Sequence, residues 1–518
     1  MISRVHSFVL QGIEPLLCEI EIDLNNQGLP RTTIVGLPDA AVREATERVR
    51  TAILNSGYRY PANRVTINLA PADLRKEGPV YDLAIATALL IADGTIIKRE
   101  LPLETNDQSC IAREVQPVPD QYLFAGELAL DGRVRSINGA VGLSLLARRL
   151  GFRGVIVPQA NANEAALVNE VDVLAVNHLS DVVAIFNQTI PLKCHPKIDL
   201  RSVLSEEKPE VDFAQVRGQE PAKRAMTVAA AGAHNILMLG PPGTGKTMMA
   251  KALPGILAPL TADEALEVTR IYSSAGSLPR DHQVMLKRPV RAPHHTASGP
   301  AIVGGGPTPR PGDVSLAHHG VLFLDEMPEF SRDVLETLRQ PLEDGNVTIA
   351  RAQGTVRFPA RFMLVAAINP STHGYHNNAG GVSATTRRRI SGPIVDRIDV
   401  HVEVPEVPIS ELISRCTGTS TQQLKSRVEE ARAFQHNRQG PIRNGYLSGL
   451  QLDKMAVLDG DAQELLKQSV TSLGLSARAY DKIRRLGRTI ADMESSSVIR
   501  KHHITEAVQY RLLDRGVD

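Results

Sequence analysis

Residues 236 to 253 read ILMLGPPGTGKTMMAKAL, and the fold turns on how they are read. Ile236 to Leu239 form an apolar run of strand length. It passes into Gly240, Pro241, Pro242, Gly243, Thr244, Gly245, Lys246 and Thr247, and then into a helical pattern. Glycines at these positions let backbone N–H groups close on phosphate oxygens, and the following helix N-terminus adds its dipole. Lys246 is placed to reach the β- and γ-phosphates, and Thr247 to ligate Mg²⁺. Composition alone could produce the fixed residues; the strand before and the helix after argue against coincidence.

Working outward, VLFLDE at 321–326 predicts a buried strand ending in Asp325 and Glu326, at the strand edge where open α/β sheets bind ligands. Asp325 is then the second Mg²⁺ ligand beside Thr247, and Glu326 the group that orients or deprotonates the attacking water. FMLVAAINP at 362–370 ends in Asn369, which could face the γ-phosphate or simply form a turn before Pro370. Arg397 in SGPIVDRIDV and Arg478 in LGLSARAYDKI lie beyond the sheet. Taken singly they read as surface or ion-pair arginines, but phosphoryl transfer calls for such charges at the γ-phosphate, often from a neighbouring subunit. Alternating strands and helices predict an α/β domain with a parallel sheet over 213–408, followed by a helical domain over 409–518. Residues 191–212 read as an exposed linker. Over 1–190, TTIVGL, RVTINLA, GVIVP and VDVLAV alternate with helical stretches. In one of these Val42, Ala45, Val49 and Ile53 recur at helical spacing, giving a mixed α/β domain.

These motifs resemble the AAA+ ATPases of the magnesium-chelatase type. The resemblance rests on VRGQE at 216–220, the phosphate loop, RAPHHTAS at 291–298, GDVSLAHHGVLFLDEMPEF at 312–330, INP, and SGPIVDRIDVHVEVP. It implies ATP and Mg²⁺ as cofactors, with Asn369 as sensor 1, Arg397 as an arginine finger acting in trans, and Arg478 as the sensor 2 arginine of a helical lid. It also implies a homo-oligomeric ring, usually a hexamer. The segment near 270–311 then corresponds to a helix-2 insert. GNVTIARAQGTVRFPARF predicts a β-hairpin with Arg351 near its tip, the presensor hairpin that projects into the ring pore in related motors.

Two further stretches, GLPDAAVREATERVRTAILNSGY and RVTINLAPADLRKEGPVYDLAIATALL, resemble the N-terminal domain of the ComM (YifB) group within this class. With the segment starting at FAGELAL they also look like the peptidase domain of Lon proteases. Such a peptidase needs a Ser activated by a Lys of lowered pKa. The Ser position holds Val80, the Lys position falls on Val141, Gly142 and Leu143, and Ser136 and Ser144 lack a Lys partner. The expectation is an inactive Lon-like domain and an ATPase that is not a protease.

Function hypotheses follow. The first is a DNA motor, resembling ComM helicases in branch migration during recombination or natural transformation, acting on single-stranded and branched DNA without sequence preference. Its candidate phosphate contacts are Arg351, Lys287 and Arg288, which charge alone favours as solvated charges on ordinary loops. The alternative is a chelatase-type motor subunit acting on a protein partner. A nucleotide-gated scaffold is disfavoured by the presence of both Glu326 and Arg397.

Composition narrows the field only broadly. The chain has 518 residues, 42% apolar and 22% charged, with a formal net charge of +1, so any attraction to nucleic acid must be local. It carries no apolar run long enough to span a bilayer and no signal-peptide pattern, which predicts a cytoplasmic protein without a membrane partner. Cys18, Cys110, Cys194 and Cys416 are scattered and read as buried thiols. The pairs His294-His295 and His318-His319 invite a metal reading, but they lack metal-ligand spacing with any Cys or carboxylate cluster, and adjacent side chains of an extended segment diverge. Arg387-Arg388-Arg389 reads as a DNA patch or a solvated face.

Overall fold

A computed structural model of the chain describes residues 2–25, 29–97, 117–203, 211–279, 284–306, 308–351, 354–369, 392–408, 418–511 and 513. The chain divides into two compact units, Met1–Leu204 with Thr261–Leu286, and Ser205–Leu260 with Lys287–Asp518.

The first unit is built on a seven-stranded mixed sheet. β1 (Ile2–Gln11) and β2 (Glu14–Asn25) pair antiparallel from end to end, joined by a turn at Gly12, where φ is +68°. β3 (Arg31–Val35) leads to α1 (Ala40–Asn55), capped by the Asp39 side chain on the Val42 N–H, and α1 buries Val42, Ala45, Val49 and Ile53 as the spacing predicts. β4 (Arg64–Ala70) follows, then α2 (Asp82–Ala92), a helix buried at every residue. β5 (Tyr122–Phe124), α3 (Ala140–Leu150), β6 (Gly154–Pro158), β7 (Asp172–Val176) and α4 (Leu179–Phe186) complete the order β3-β4-β2-β1-β5-β6-β7. Strand residues alternate between two cores: Tyr122, Phe124, Ile156 and Leu174 pack with α1, α2 and α4, and Leu123, Val155, Val157 and Val173 with α3. Residues 191–203, part of the linker expected over 191–212, are mostly exposed or half-buried and count with this unit. Leu200 is only 7% exposed, and the His195 N–H donates to the Val173 carbonyl at 2.8 Å.

The second unit begins with α5 (Glu220–Gly232), β8 (Ile236–Leu239) and α6 (Lys246–Ala252). The chain then leaves it, because α7 (Ala262–Ser274) belongs to the first unit. There the Ser273 hydroxyl donates to the buried Glu164 carboxylate and accepts from the Gly139 N–H at 2.8 Å, and Arg270 pairs with Glu14 at 2.7 Å. The expected helix-2 insert is thus divided between the units at Leu286. β9 (Val290–Arg291), β10 (Val321–Leu324), the hairpin of β11 (Asn346–Arg351) and β12 (Gly354–Pro359), β13 (Met363–Ile368) and β14 (Val400–Glu403) follow. The parallel sheet has the order β9-β10-β13-β8-β14, and α8 (Thr421–Gln439), α9 (Gly460–Leu473), α10 (Ala477–Met493) and α11 (Lys501–Gln509) form the helical C-terminal region. Among the described residues no helix is long and apolar enough to cross a membrane.

Candidate functional site

Parallel register places three of the predicted groups at one sheet edge. Leu239 pairs with Ile368 and Leu324 with Ala366, so Gly240, Asp325 and Asn369 all emerge at the C-terminal ends of neighbouring strands. Gly240 is required by packing as well as by ligand geometry, since a Cβ there would lie 2.1 Å from the Val404 carbonyl oxygen. Gly243 and Gly245 take φ of +81° and +92°, which folds the loop back over Lys246. The Lys246 ammonium donates to the carbonyls of Gly240 (2.8 Å) and Pro241 (2.6 Å), and burial pushes its pKa below the ordinary lysine range against the opposing charge of Asp325. Phosphate oxygens would exchange with these carbonyls as acceptors.

Thr247 and Asp325 meet directly: the hydroxyl donates to the carboxylate at 2.8 Å. Two hard oxygen donors side by side at the mouth of a phosphate loop would suit Mg²⁺. Glu326 stands next to them with φ 50° and ψ 46°, a left-handed conformation that costs a non-glycine residue on the order of 1 kcal/mol or more. Strain of this kind collects where a side chain must be aimed.

The two arginines lie elsewhere. Val400 pairs with Ile236 at the start of β8, and Arg397 precedes Val400 by three residues, whereas the phosphate loop begins after Leu239. The strand length between them is about 13 Å before Arg397 is reached, so Arg397 sits at the opposite end of the sheet from its own phosphate loop. Its guanidinium is docked on the Glu343 carboxylate, and Arg478 Nη2 lies 3.8 Å from the same oxygen. Arg478 comes there because Lys482, one turn further along α10, donates to the carbonyls of Asp396 and Ile398 on either side of Arg397. Glu343, Lys482 and Asn235, which holds the Arg397 carbonyl, were not foreseen. Only the four-residue spacing of Arg478 and Lys482 hinted at any of them.

Arg351 is exposed at the end of β11 and Lys287 is exposed, but Arg288 is corrected as a DNA contact. It is 9% exposed, and its Nε, Nη1 and Nη2 donate to the carbonyls of Ala258, His319 and Pro259. Cys194 is exposed, whereas Cys18 is buried and its thiol is pushed up to about 12 by burial. Cys110, Cys416 and Arg387-Arg388-Arg389 lie outside the described residues. The histidine pairs do not diverge, because both lie at turns: the rings of His294 and His295 are 4.1 Å apart, and those of His318 and His319 are 4.0 Å apart. A third pair, His502-His503, converges on Glu494, but His503 Nδ1 accepts the Arg500 N–H at 2.9 Å. The ring proton therefore sits on Nε2, which donates to Glu494 and cannot ligate a metal. In the first unit Val80 is packed between the two cores, and Val141, Leu143 and Ser144 are fully buried in α3.

The family described as magnesium chelatase, subunit ChlI, matches residues 212–412, its C-terminal part matches 418–511, and subunit ChlI of Mg-chelatase matches 20–161. The chain is 41% identical over 521 residues to competence protein ComM of Haemophilus influenzae, covering 99% of this chain and 98% of that one. The chain belongs to the ComM/YifB family of magnesium-chelatase-like AAA+ proteins. Within this family it is also 41% identical over 525 residues to YifB of Escherichia coli, with the same coverage. Outside the ComM/YifB group, similarity to the magnesium-chelatase 38 kDa subunit of Rhodobacter capsulatus is 26% over 181 residues, 32% of this chain and 51% of that subunit.

Proposed function

We propose that this protein is a ring-forming, Mg²⁺-dependent ATPase whose hydrolysis moves single-stranded and branched DNA. The observation that carries the reading is the division of catalytic groups between the two ends of one sheet. Lys246, Thr247, Asp325, Glu326 and Asn369 gather at one end and Arg397 stands at the other, so a complete site needs the arginine of a neighbouring copy. In this scheme the Asp325 carboxylate and the Thr247 hydroxyl hold the metal, Glu326 takes the proton of the attacking water, and Arg397 and Arg478 neutralise charge developing on the γ-phosphate. Such an arginine is worth about 10³ to 10⁵ in rate. DNA enters the reading through the exposed Arg351 at the hairpin end and through likeness to a competence protein along nearly the whole chain. The chelatase-type alternative rests on the chelatase family models over 20–161, 212–412 and 418–511 and on 26% identity to a chelatase subunit over 32% of the chain.

Lys246→Ala is expected to abolish binding of a fluorescent ATP analogue. Glu326→Gln should bind it, assemble and stall. ATPase rates with and without single-stranded DNA, together with migration of a synthetic four-way junction, decide the DNA reading. A wild-type ATPase that ignores DNA and leaves the junction in place would refute it, and stimulation by a chelatase partner subunit instead would favour the alternative.

A further inference from the structure

Asn235 lies between α5 and β8, one residue before the strand that runs into the phosphate loop, and it uses every polar group it has. Its backbone N–H donates to Asp399 Oδ2 at 3.1 Å, and its carbonyl accepts from the N–H groups of Asp399 (3.0 Å) and Val400 (2.9 Å). Its side-chain Oδ1 accepts from the Leu364 N–H of β13 at 2.8 Å, and its Nδ2 donates to the Arg397 carbonyl at 3.1 Å. One amide side chain thus joins the strand that ends at Asn369 to the peptide that carries Arg397, from the residue that leads into the strand ending at the phosphate loop.

The surroundings fix this joint. Asp399 is buried, lies 3.5 Å from the Lys482 ammonium and 3.7 Å from His234 Nδ1, and cannot swing away without stranding its charge. Lys482 holds the carbonyls of Asp396 and Ile398, so the carbonyls of three consecutive residues, Asp396, Arg397 and Ile398, are gripped by Lys482 and Asn235. Beyond Asp399 the network continues: His234 Nε2 bonds Thr489 Oγ1 at 2.7 Å, and Asn444 Nδ2 donates to Thr489 (3.1 Å) and to Asp492 (2.7 Å) in the helical region. A turn held so completely presents its side chain in one direction, and Arg397 is the side chain it presents.

We propose that Asn235 is a positioning residue for Arg397, setting the attitude of the arginine offered to a neighbouring subunit and tying it to the strands that carry the same subunit's own nucleotide groups. The inference rests on the reading of Arg397 as a group acting in trans. Asn235 makes no hydrogen bond to Lys246, Thr247, Asp325, Glu326 or Asn369, so the inference predicts that its loss acts on kcat chiefly through a neighbour's site. A misplacement of about 1 Å at a reacting group costs on the order of a hundredfold.

Two variants test this in the full-length protein. Asn235→Ala removes both side-chain bonds, and Asn235→Asp keeps the acceptor for Leu364 while removing the donor to Arg397. Each is expected to bind the fluorescent ATP analogue as wild type does and to lose roughly tenfold to a hundredfold in kcat, with KM little changed. The discriminating readout is mixed rings. Co-assembly of Asn235→Ala with Glu326→Gln should restore turnover, at roughly one site in four for random placement in a head-to-tail ring, because the Glu326→Gln subunits supply a well-aimed arginine. Co-assembly of Asn235→Ala with Arg397→Ala should restore nothing. Rescue by Arg397→Ala and not by Glu326→Gln would place the lesion in the subunit's own site and overturn the inference, as would wild-type kcat in both variants. The Arg397→Ala and Glu326→Gln pair is the control on the underlying reading: without recovery there, Arg397 does not act in trans and the inference falls with it. Recovery there with none for Asn235→Ala overturns the inference alone. If Asn235→Ala fails to fold, the same mixtures are read with Asn235→Asp.

Discussion

Asp82 has no exposed surface, and burial pushes its carboxyl up to about 6 against the pull of the Arg48 guanidinium. Arg48 grips it through two bonds of 2.9 and 3.1 Å, and the Leu128 N–H adds a third at 3.3 Å. Asp82 belongs to the same KEGPVYDL segment as Val80, so this stretch does structural work: where a related peptidase would carry its nucleophile, an apolar side chain fills the core and a buried ion pair sits two residues on. Breaking that pair from one side is costly. Arg48→Ala is expected to destabilise the fold by about 3 to 5 kcal/mol, because it leaves a desolvated acid without its partner, whereas Arg48→Met combined with Asp82→Leu costs much less. Scanning calorimetry of the three proteins checks this, and a single variant no worse than the double would refute it.

At the scale of elements, α10 does most to organise the second unit, since it carries Arg478, Lys482 and Thr489 on its path past the Arg397 turn. Burial alone would raise the Asp399 carboxyl, but the Lys482 ammonium and His234 outweigh it and hold it well below the usual range. A carboxyl lowered in the folded state stabilises the fold above its unfolded pKa of about 4, and that contribution is lost as pH falls below it. The thermal midpoint of the wild type should therefore drop more steeply below about pH 4 than that of Asp399→Asn. The hairpin of β11 and β12 makes a separate prediction. Arg351→Ala is expected to weaken single-stranded DNA binding about equally for all sequences and to lower the dependence of log affinity on log salt by about one contact, without changing ATP affinity. Unchanged salt dependence in a titration by fluorescence anisotropy would remove Arg351 from the DNA path.

Several of these elements could be read in advance, for a physical reason. Ile236–Leu239 and Val321–Leu324 are buried on both faces, and such strands announce themselves as unbroken apolar runs flanked by turn formers. The long pair of β1 and β2 was missed because its alternation is diluted by polar and half-buried residues such as His6, Ser7 and Glu19. Arg288 misled because charge in a sequence says nothing of whether carbonyls wait for it in the fold, and Asn235 was silent because a single amide before a strand has no pattern.

On the scale of the whole molecule, α7 is the feature with the widest consequence. Leu266 and Ala262 pack against the core of the first unit, and Ser273 satisfies a carboxylate, Glu164, that has almost no access to water and is raised by burial. A protein expressed from residues 1 to 204 would lack that helix, leave the buried Glu164 with one hydrogen-bond donor fewer and expose the apolar surface the helix covers. It is expected to be aggregation-prone, while joining residues 261–286 to it through a flexible linker should restore a cooperative thermal transition. The first unit is thus not a contiguous stretch of the gene. No stop codon can deliver it without residues 205–260 of the second unit, and a nonsense mutation before residue 286 removes part of a domain whose first strand begins at Ile2. During synthesis that unit must wait for the phosphate loop to leave the ribosome before its own core can close.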